Sequence, residues 1–332
     1  MYLAALVDNL LEITVIGSFS RLGYGVRRRL FGWSAPLPGA MAGRTVLLTG
    51  ATSGLGREAA GELASLGARV ILAGRDEAKL ERVRHELAHL HGEDRFPTLV
   101  VDMSSLASVA EAVERVLAEE PRLDAVIDNA GAIFSNRQVT GEGIEATLAT
   151  MVVGPFALIA GLLPLLESTP GARVISVTSG GQYAQRLRLD DLQWTAEPWN
   201  GTRAYARAKR AQVSLMREWT RRSPRRDITF VAMHPGWADT PGIAAALPGF
   251  HRVMGPLLRT PAEGVDTMVW LAADAHAADL AGRLVLDRRA RPFDRIPSTR
   301  VPPADRRRLW DAVVRLSGIA DPRPGHHLIG VS

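Results

Sequence analysis

Tyr205 and Lys209 stand four apart in Ala204-Tyr205-Ala206-Arg207-Ala208-Lys209. Four residues is about one helical turn, so both side chains share a helix face. An ammonium beside a phenol favours the phenolate and lowers the phenol's pKa. A phenol tuned in this way passes a proton to or from a substrate oxygen near neutral pH. The lysine is itself informative, because the chain contains only two, Lys79 and Lys209, and uses arginine elsewhere. Arginine does not titrate and presents a planar fork, whereas lysine is a compact point charge. Lysine at 209 therefore reads as a chemical requirement. Alone the pair is a weak signal, ordinarily explained by a solvated lysine on a surface helix. The elements that would position it change the weighting.

Residues 45–49 are an apolar, β-branched run suited to a buried strand. Gly50-Ala51-Thr52-Ser53-Gly54-Leu55-Gly56 follows, then a helix-like stretch through Leu66. Strand, glycine turn and helix in that order let backbone approach a pyrophosphate at a helix N-terminus. This makes Gly50, Thr52, Ser53, Gly54, Leu55 and Gly56 candidates for holding a dinucleotide. A second strand, Ala68 to Ala73, ends in Gly74-Arg75-Asp76. The end of that strand reads the adenosine ribose in a dinucleotide fold. Arg75 pairs readily with a 2′-phosphate, which favours NADP(H) over NAD(H). In the competing arrangement Asp76 takes the ribose and Arg75 faces solvent. A third strand, Phe96 to Val101, leads into Asp102-Met103, and a fourth, Asp124 to Asp128, leads into Asn129-Ala130-Gly131. Both put small or polar residues at the carboxyl edge of a parallel sheet, where ligands bind.

With these residues in order, the chain resembles the short-chain dehydrogenase/reductase family from about Gly43 to about Leu286. The landmarks are the Thr49-to-Gly56 loop, Asp102, Asn129-Ala130-Gly131, Ser176-Val177-Thr178-Ser179, Tyr205-x-x-x-Lys209, and His234 through Thr240. Ser179-Gly180-Gly181, Asp191-Leu192-Gln193, His234 through Pro241 and an N-terminal extension resemble one branch of that family. The resemblance implies that Tyr205 is the acid/base, that Lys209 binds the nicotinamide ribose and depresses the Tyr205 pKa, and that Ser179 holds the substrate oxygen, with Thr178 the fallback. It further implies that Gly50, Gly54 and Gly56 surround the pyrophosphate. Asp102 would bond the adenine amino group, and Asn129 would line the adenosine side. Pro235, Gly236 and Thr240 would lie along the nicotinamide and its phosphate. Dimers or tetramers through edge helices are common in such families.

One position departs from that pattern. The family's asparagine, three residues before a glycine in the helix after the fourth strand, is Met151 here. The asparagine is thought to hold a water in the proton chain from the lysine. A thioether is a weak acceptor and does not donate. A relay reorganised around Thr150, a slow enzyme, or a cofactor-binding protein without turnover are the three readings. Retention of tyrosine, lysine and serine favours the enzyme.

The 332 residues accommodate one doubly wound α/β domain of about 240 residues, with a mostly parallel sheet of about seven strands and helices on both faces. The division expected is an amphipathic extension at 1–34, a linker at 35–42, the dinucleotide-binding domain at 43–290, and a tail at 291–332 holding a helix from Pro303 to Leu316. Hydrophobic content of 46% supports a large core, and a mean hydropathy of +0.02 argues against a polytopic membrane protein. Cysteine is absent, which excludes disulfides and thiolate metal sites. His85, His89 and His91 lack the acidic or cysteine partners of a metal pattern. The net charge of +5 and the clusters Arg221-Arg222, Arg225-Arg226 and Arg306-Arg307-Arg308 come without a nucleic-acid recognition motif, so no nucleic-acid partner is expected.

In the extension, Asp8 and Glu12 share one helix face, and Leu3, Leu6, Leu10 and Ile13 share another. It lacks the basic start of a signal peptide and is barely long enough to span a bilayer. An amphipathic helix lying on a membrane and a helix packed on protein are equally consistent, so the expected location is cytoplasmic with peripheral membrane contact. Two segments are expected to shape the substrate pocket: Gly180 to Arg203, with Tyr183, Trp194 and Trp199, and Trp237 to Thr260, with Phe250. Their apolar character points to an apolar alcohol or carbonyl substrate, lipid-, sterol- or retinoid-like.

Overall fold

Five consecutive buried residues, Thr45–Thr49, form β1, the centre of the sheet. Such runs without alternation belong to parallel strands covered on both faces. The computed structural model describes residues 2–223 and 228–323. Three helices come first: α1 (Tyr2–Ile13), α2 (Val15–Phe19) and α3 (Arg21–Leu30). After β1 the chain alternates through α4 (Gly54–Ser65), β2 (Arg69–Gly74), α5 (Glu77–His91), β3 (Thr98–Val100), α6 (Leu106–Glu119) and β4 (Ala125–Asp128). Next come α7 (Ala146–Leu148), a π turn at Ala149–Val153, α8 (Gly154–Ser168), β5 (Arg173–Val177), α9 (Gly201–Arg222) and β6 (Thr229–Met233). The remainder is α10 (Pro241–Ala246), α11 (Pro248–Met254), α12 (Pro261–Ala273), β7 (Leu284–Leu286), β8 (Arg289–Arg291) and α13 (Pro303–Ser317).

The strands lie in the order β3-β2-β1-β4-β5-β6-β7-β8. Among the described residues the sheet has eight strands, not about seven; the added one, β8, is a three-residue edge strand antiparallel to β7. Arg289 and Ala290 are exposed and Arg291 is a buried charge, so the strand has no apolar signature. All other pairings are parallel, for example Thr49↔Ala73 and Leu47↔Val126. Strand order reverses between β1 and β4, and the crevice at such a switch point is where an open α/β sheet binds its ligand.

One face of the sheet is covered by α4, α5 and α12. On the other lie α6, α8, α9 and α13. Trp219 of α9, Trp310 of α13 and Phe156 of α8 meet there, with the two indoles 4.7 Å apart. The helix from Ala146 to Ser168 is long and apolar enough to cross a membrane, but it is mostly buried within this layer.

The N-terminal helices dock with their polar face inward. Arg27 has no exposed surface and binds Asp8 at 2.7 Å, Glu12 at 2.9 Å and Asp287 at 2.7 Å. Arg259 also grips Asp287 at 2.6 Å, and Arg291 reaches Asp8 at 2.9 Å. Leu3, Leu6, Leu10, Ile13, Val15 and Ile16 remain exposed on the outer side. The cluster also fixes the β7–β8 turn. Asp287 and Arg288 both have positive φ, 56° and 54°, in a two-residue turn that usually uses Asn-Gly. Asp287 is held there by two guanidiniums and Arg288 by Asp266 at 2.7 Å. The loose end expected for residues 320–332 lies, from 324 onward, outside the described residues, as do Arg225 and Arg226.

Candidate active site

The glycine loop is shaped by close approach of backbone to backbone. A β-carbon on Gly56 would sit 2.1 Å from the Gly50 carbonyl oxygen, so only glycine fits. Gly50 and Gly54 have φ of +67° and +51°, a region glycine enters without steric cost. Asn129 locks the loop to β4, its amide donating to the Thr49 carbonyl at 2.9 Å. The backbone N–H groups of Asn129 and Ala130 both donate to the Thr49 hydroxyl at 3.0 Å.

Beside this loop is a cleft of about 380 Å³. It is lined by Gly50, Thr52, Ser53, Gly54, Leu55 and Gly56 from the loop, and by Arg75 at the end of β2. Asp102 and Met103 line it after β3, and Asn129, Ala130, Gly131 and Thr240 close it. The open N-terminus of α4 and the glycine cradle suit a pyrophosphate. Asp76 is occupied otherwise: its carboxylate caps α5, accepting from the Lys79 N–H at 3.0 Å. Arg75 is exposed and makes no hydrogen bond or ion pair among the described residues. Asp102 accepts from the Ser104 N–H and hydroxyl at 2.9 and 2.7 Å.

The cleft opens into a second cavity of about 730 Å³, and Leu55, Asn129, Gly131 and Thr240 line both. Ser179, Tyr205, Lys209, Pro235 and Gly236 line this second space. Tyr205 and Lys209 lie on α9, whose start is capped by Asn200, with its side chain accepting from the Arg203 N–H. A β-carbon on Gly131 would lie 3.6 Å from Lys209 Nζ, 3.7 Å from Met151 Cε and 3.7 Å from Tyr205 Cε2. The phenol, the ammonium and the thioether therefore converge over Gly131.

Burial pushes the Tyr205 phenol up to about 12, with a hydrogen bond from Ser179 pulling the other way. This corrects the expectation that Lys209 depresses it. The Lys209 ammonium, 5.6 Å from the phenol ring centroid, donates instead to the Val177 carbonyl at 2.7 Å. Burial lowers Lys209 itself to about 8. Met151 is fully buried in the π turn, and Thr150 lines the cofactor cleft.

The larger cavity is walled by Leu55, Ile133, Phe134, Trp237, Ile243 and Phe250. The segment from Trp237 to Thr260 contributes, but Tyr183, Trp194 and Trp199 do not line it. Tyr183 is turned away, donating to the Pro292 carbonyl at 3.0 Å. Trp194 is buried against Trp199 and beneath Arg207. These aromatics pin their loop instead of facing a ligand. Sequence reasoning missed Ile133 and Phe134, although they come just after Asn129-Ala130-Gly131, with only Ala132 between, at the carboxyl edge of β4.

After β6, a β-carbon on Gly236 would lie 2.2 Å from Arg259 Nε. His234 is buried, and its Nδ1 accepts from the Gly236 N–H at 2.8 Å. The Trp237 N–H donates to the Phe19 carbonyl at 2.8 Å, so the N-terminal helices hold the backbone of the cavity wall. Among the described residues no cluster of metal-ligating side chains is present.

A profile of the short chain dehydrogenase family matches residues 44–247. Human dehydrogenase/reductase SDR family member 12 is 42% identical over 74% of this chain and 77% of that protein; this is the branch that the Ser179, Asp191 and His234 stretches resemble. Mouse retinol dehydrogenase 14 is 35% identical over 85% of this chain and 88% of that protein. A chain from Escherichia coli CFT073 solved in complex with NADPH superposes with a TM-score of 0.63. At 24% identity it covers 76% of this chain and all of that one, and bears on the fold alone. The chain belongs to the short-chain dehydrogenase/reductase family, oxidoreductases that bind a nicotinamide cofactor and act on CH–OH or C=O groups.

Proposed function

We propose that the protein is an NADP(H)-dependent reductase of an apolar carbonyl compound, with Tyr205 as proton donor, Lys209 as the cation beneath it and Ser179 orienting the substrate oxygen. The observation that carries this is the convergence of Tyr205 and Lys209, at the edge of the glycine-loop cleft, on an apolar cavity. When bound, the nicotinamide cofactor would supply the hydride. The chain does the rest. A phenol held near 12 is protonated at neutral pH, which suits giving a proton to the carbonyl oxygen as charge develops there. The Ser179 hydroxyl, which lines the same cavity, holds that oxygen. A retinoid- or isoprenoid-like alcohol/aldehyde pair fits the wall chemistry, and the retinol dehydrogenase relative supports that class.

Preference for NADP(H) over NAD(H) rests on charge. Among the described residues Arg75 is unpaired at the cleft rim, while Arg57, Lys79 and Arg82 border the adjoining hollow beside Thr52 and Ser53. Asp76, the candidate for a ribose hydroxyl, is spent on capping α5. NADPH oxidation followed across apolar aldehydes and ketones tests the assignment. Tyr205→Phe should lower kcat by about 10²–10⁴-fold with NADPH still bound. Tight NADPH binding without turnover on any carbonyl would instead favour a cofactor-binding protein disabled at Met151.

The N-terminal helices are the proposed site of peripheral membrane contact. Leu3, Leu6, Leu10 and Ile13 are exposed on one side, with Arg21, Arg28 and Arg29 exposed nearby, the arrangement of an interfacial helix. Deleting residues 1–34 would be a poor test, because Arg259 and Asp287 would lose buried partners. Leu6→Glu with Leu10→Glu leaves those contacts intact and should abolish co-sedimentation with anionic vesicles; unchanged partitioning removes the membrane from the picture.

A further inference from the structure

Tyr205, Lys209 and Gln212 follow one another at i, i+4 and i+7 on α9 and so form one stripe. At the far end of the stripe is a carboxylate. Asp128 closes β4 with 2% of its surface exposed. One carboxylate oxygen accepts from Gln212 Nε2 at 2.8 Å and from the Ser176 hydroxyl at 2.9 Å. The other, Oδ1, is buried with no donor among the described residues. Lys209 is equally enclosed, also 2% exposed, and its one hydrogen bond goes to the neutral Val177 carbonyl.

The groups packed around Lys209 leave few sources of compensation. β5 offers the Val177 carbonyl, the π turn offers the Met151 thioether, and α9 offers the Tyr205 phenol, which is protonated. Among the described residues, the only charge partner identified for Lys209 is Asp128 on β4. No ion pair closes between them, so the attraction acts across the low-dielectric interior, where it is screened less than at a surface.

We propose that Asp128 is a positioning residue for Lys209: a buried carboxylate that keeps the ammonium charged and ties its helix face to the sheet through Gln212. It would supply the polar support that Met151 cannot. The proposal rests on the reading of Tyr205 and Lys209 as the proton-handling pair. The two groups act on each other in the expected directions. The Lys209 charge favours ionised Asp128, and the Asp128 charge favours protonated Lys209, each against burial.

The chain's lysine content makes a direct test available. Protein labelled with [ε-¹³C]lysine has two signals, from Lys209 and from Lys79, whose side chain is 60% exposed; Lys79→Arg assigns them. In Asp128→Asn the Lys209 midpoint should fall by about one pH unit, with Lys79 unmoved. Ser176→Ala removes one donor to the carboxylate and should move the Lys209 midpoint the same way by less. The alkaline limb of kcat for NADPH oxidation should follow the Lys209 midpoint. A midpoint that stays in place, or rises, in both variants would overturn the proposal. A shifted midpoint in a protein without turnover on any carbonyl would sustain the pairing and count against the reductase reading alone.

Discussion

Two buried charge clusters in this molecule are built on opposite plans. At the docking face of the N-terminal helices, Arg27 meets three carboxylates, and Asp287 is shared by two guanidiniums. Those partners raise the Arg27 pKa and lower those of Asp8 and Asp287 despite burial, so each group is more firmly ionised than in water. At the site, Lys209 and Asp128 are just as buried, but burial wins: the lysine is lowered and the aspartate raised. Full compensation makes a fastener. Partial compensation leaves a lysine near its titration range, able to respond when substrate and cofactor arrive.

The largest test of this contrast is structural. Arg27→Met would remove the one guanidinium that joins three carboxylates, leaving Asp287 to Arg259 and Asp8 to Arg291, and should cost about 3–5 kcal/mol in urea denaturation. A loss below about 1 kcal/mol would mean that the cluster fastens nothing. The matching change at the site is Lys209→Met combined with Asp128→Asn. An under-compensated pair replaced by neutral groups of similar volume is often neutral or stabilising. Stability of the double variant at pH 7.5 should therefore stay within about 1 kcal/mol of the parent, with turnover gone. A loss as large as that of Arg27→Met would erase the distinction.

These clusters also mark where the sequence stops being readable. The glycine loop, the α9 pair and the strands that carry them are local signals, fixed by spacing within a few residues. Their boundaries shifted by a residue or two, as for β3, which spans Thr98–Val100 where Phe96–Val101 was expected. The docking direction of α1 depends on partners far along the chain: Arg27 meets Asp287 and Asp8 meets Arg291 across 260 and 283 residues. The two faces of α1 were legible, but not which one turns inward, because the usual rule puts leucines inside. Aromatic residues misled for a related reason. Trp194 and Phe250 look alike in a loop, and only the packing separates a loop pin from a cavity wall. Asp128 read as a strand terminus because its meaning lies in Gln212 and Lys209, brought to it by α9.

His234 sits at the seam between the two regions and offers a test by pH. Its Nδ1 holds the Gly236 N–H, and its ring lies 4.5 Å from that of Phe19. Burial, with Arg259 nearby, lowers its pKa to about 3. A folded-state value depressed below the unfolded one gives stability that is complete above about 6.5 and lost as pH falls toward 3. Between those limits the unfolded chain takes up the proton that the fold refuses, a slope of at most about 1.4 kcal/mol per pH unit for one group. Thermal melts of the parent should fall across that window, and those of His234→Gln should fall less. Parallel curves would show that His234 is not the group that binds the proton.

The smallest expected effect concerns a charge with no protein partner among the described residues. Arg75 is exposed at the cleft rim, so it carries neither the fastening role of Arg27 nor the poised state of Lys209. Removing it should leave folding untouched, since surface substitutions away from special features usually change stability by less than about 0.5 kcal/mol. Its effect should appear in cofactor choice. A guanidinium facing a 2′-phosphate in partial solvent contributes roughly 1–2 kcal/mol. Arg75→Ala should therefore raise the KM for NADPH by about tenfold while changing that for NADH little, and the penalty should shrink as salt is added. Equal losses for the two cofactors would mean that Arg75 supports the cleft's shape, and the basis for NADP(H) would move to Arg57, Lys79 and Arg82.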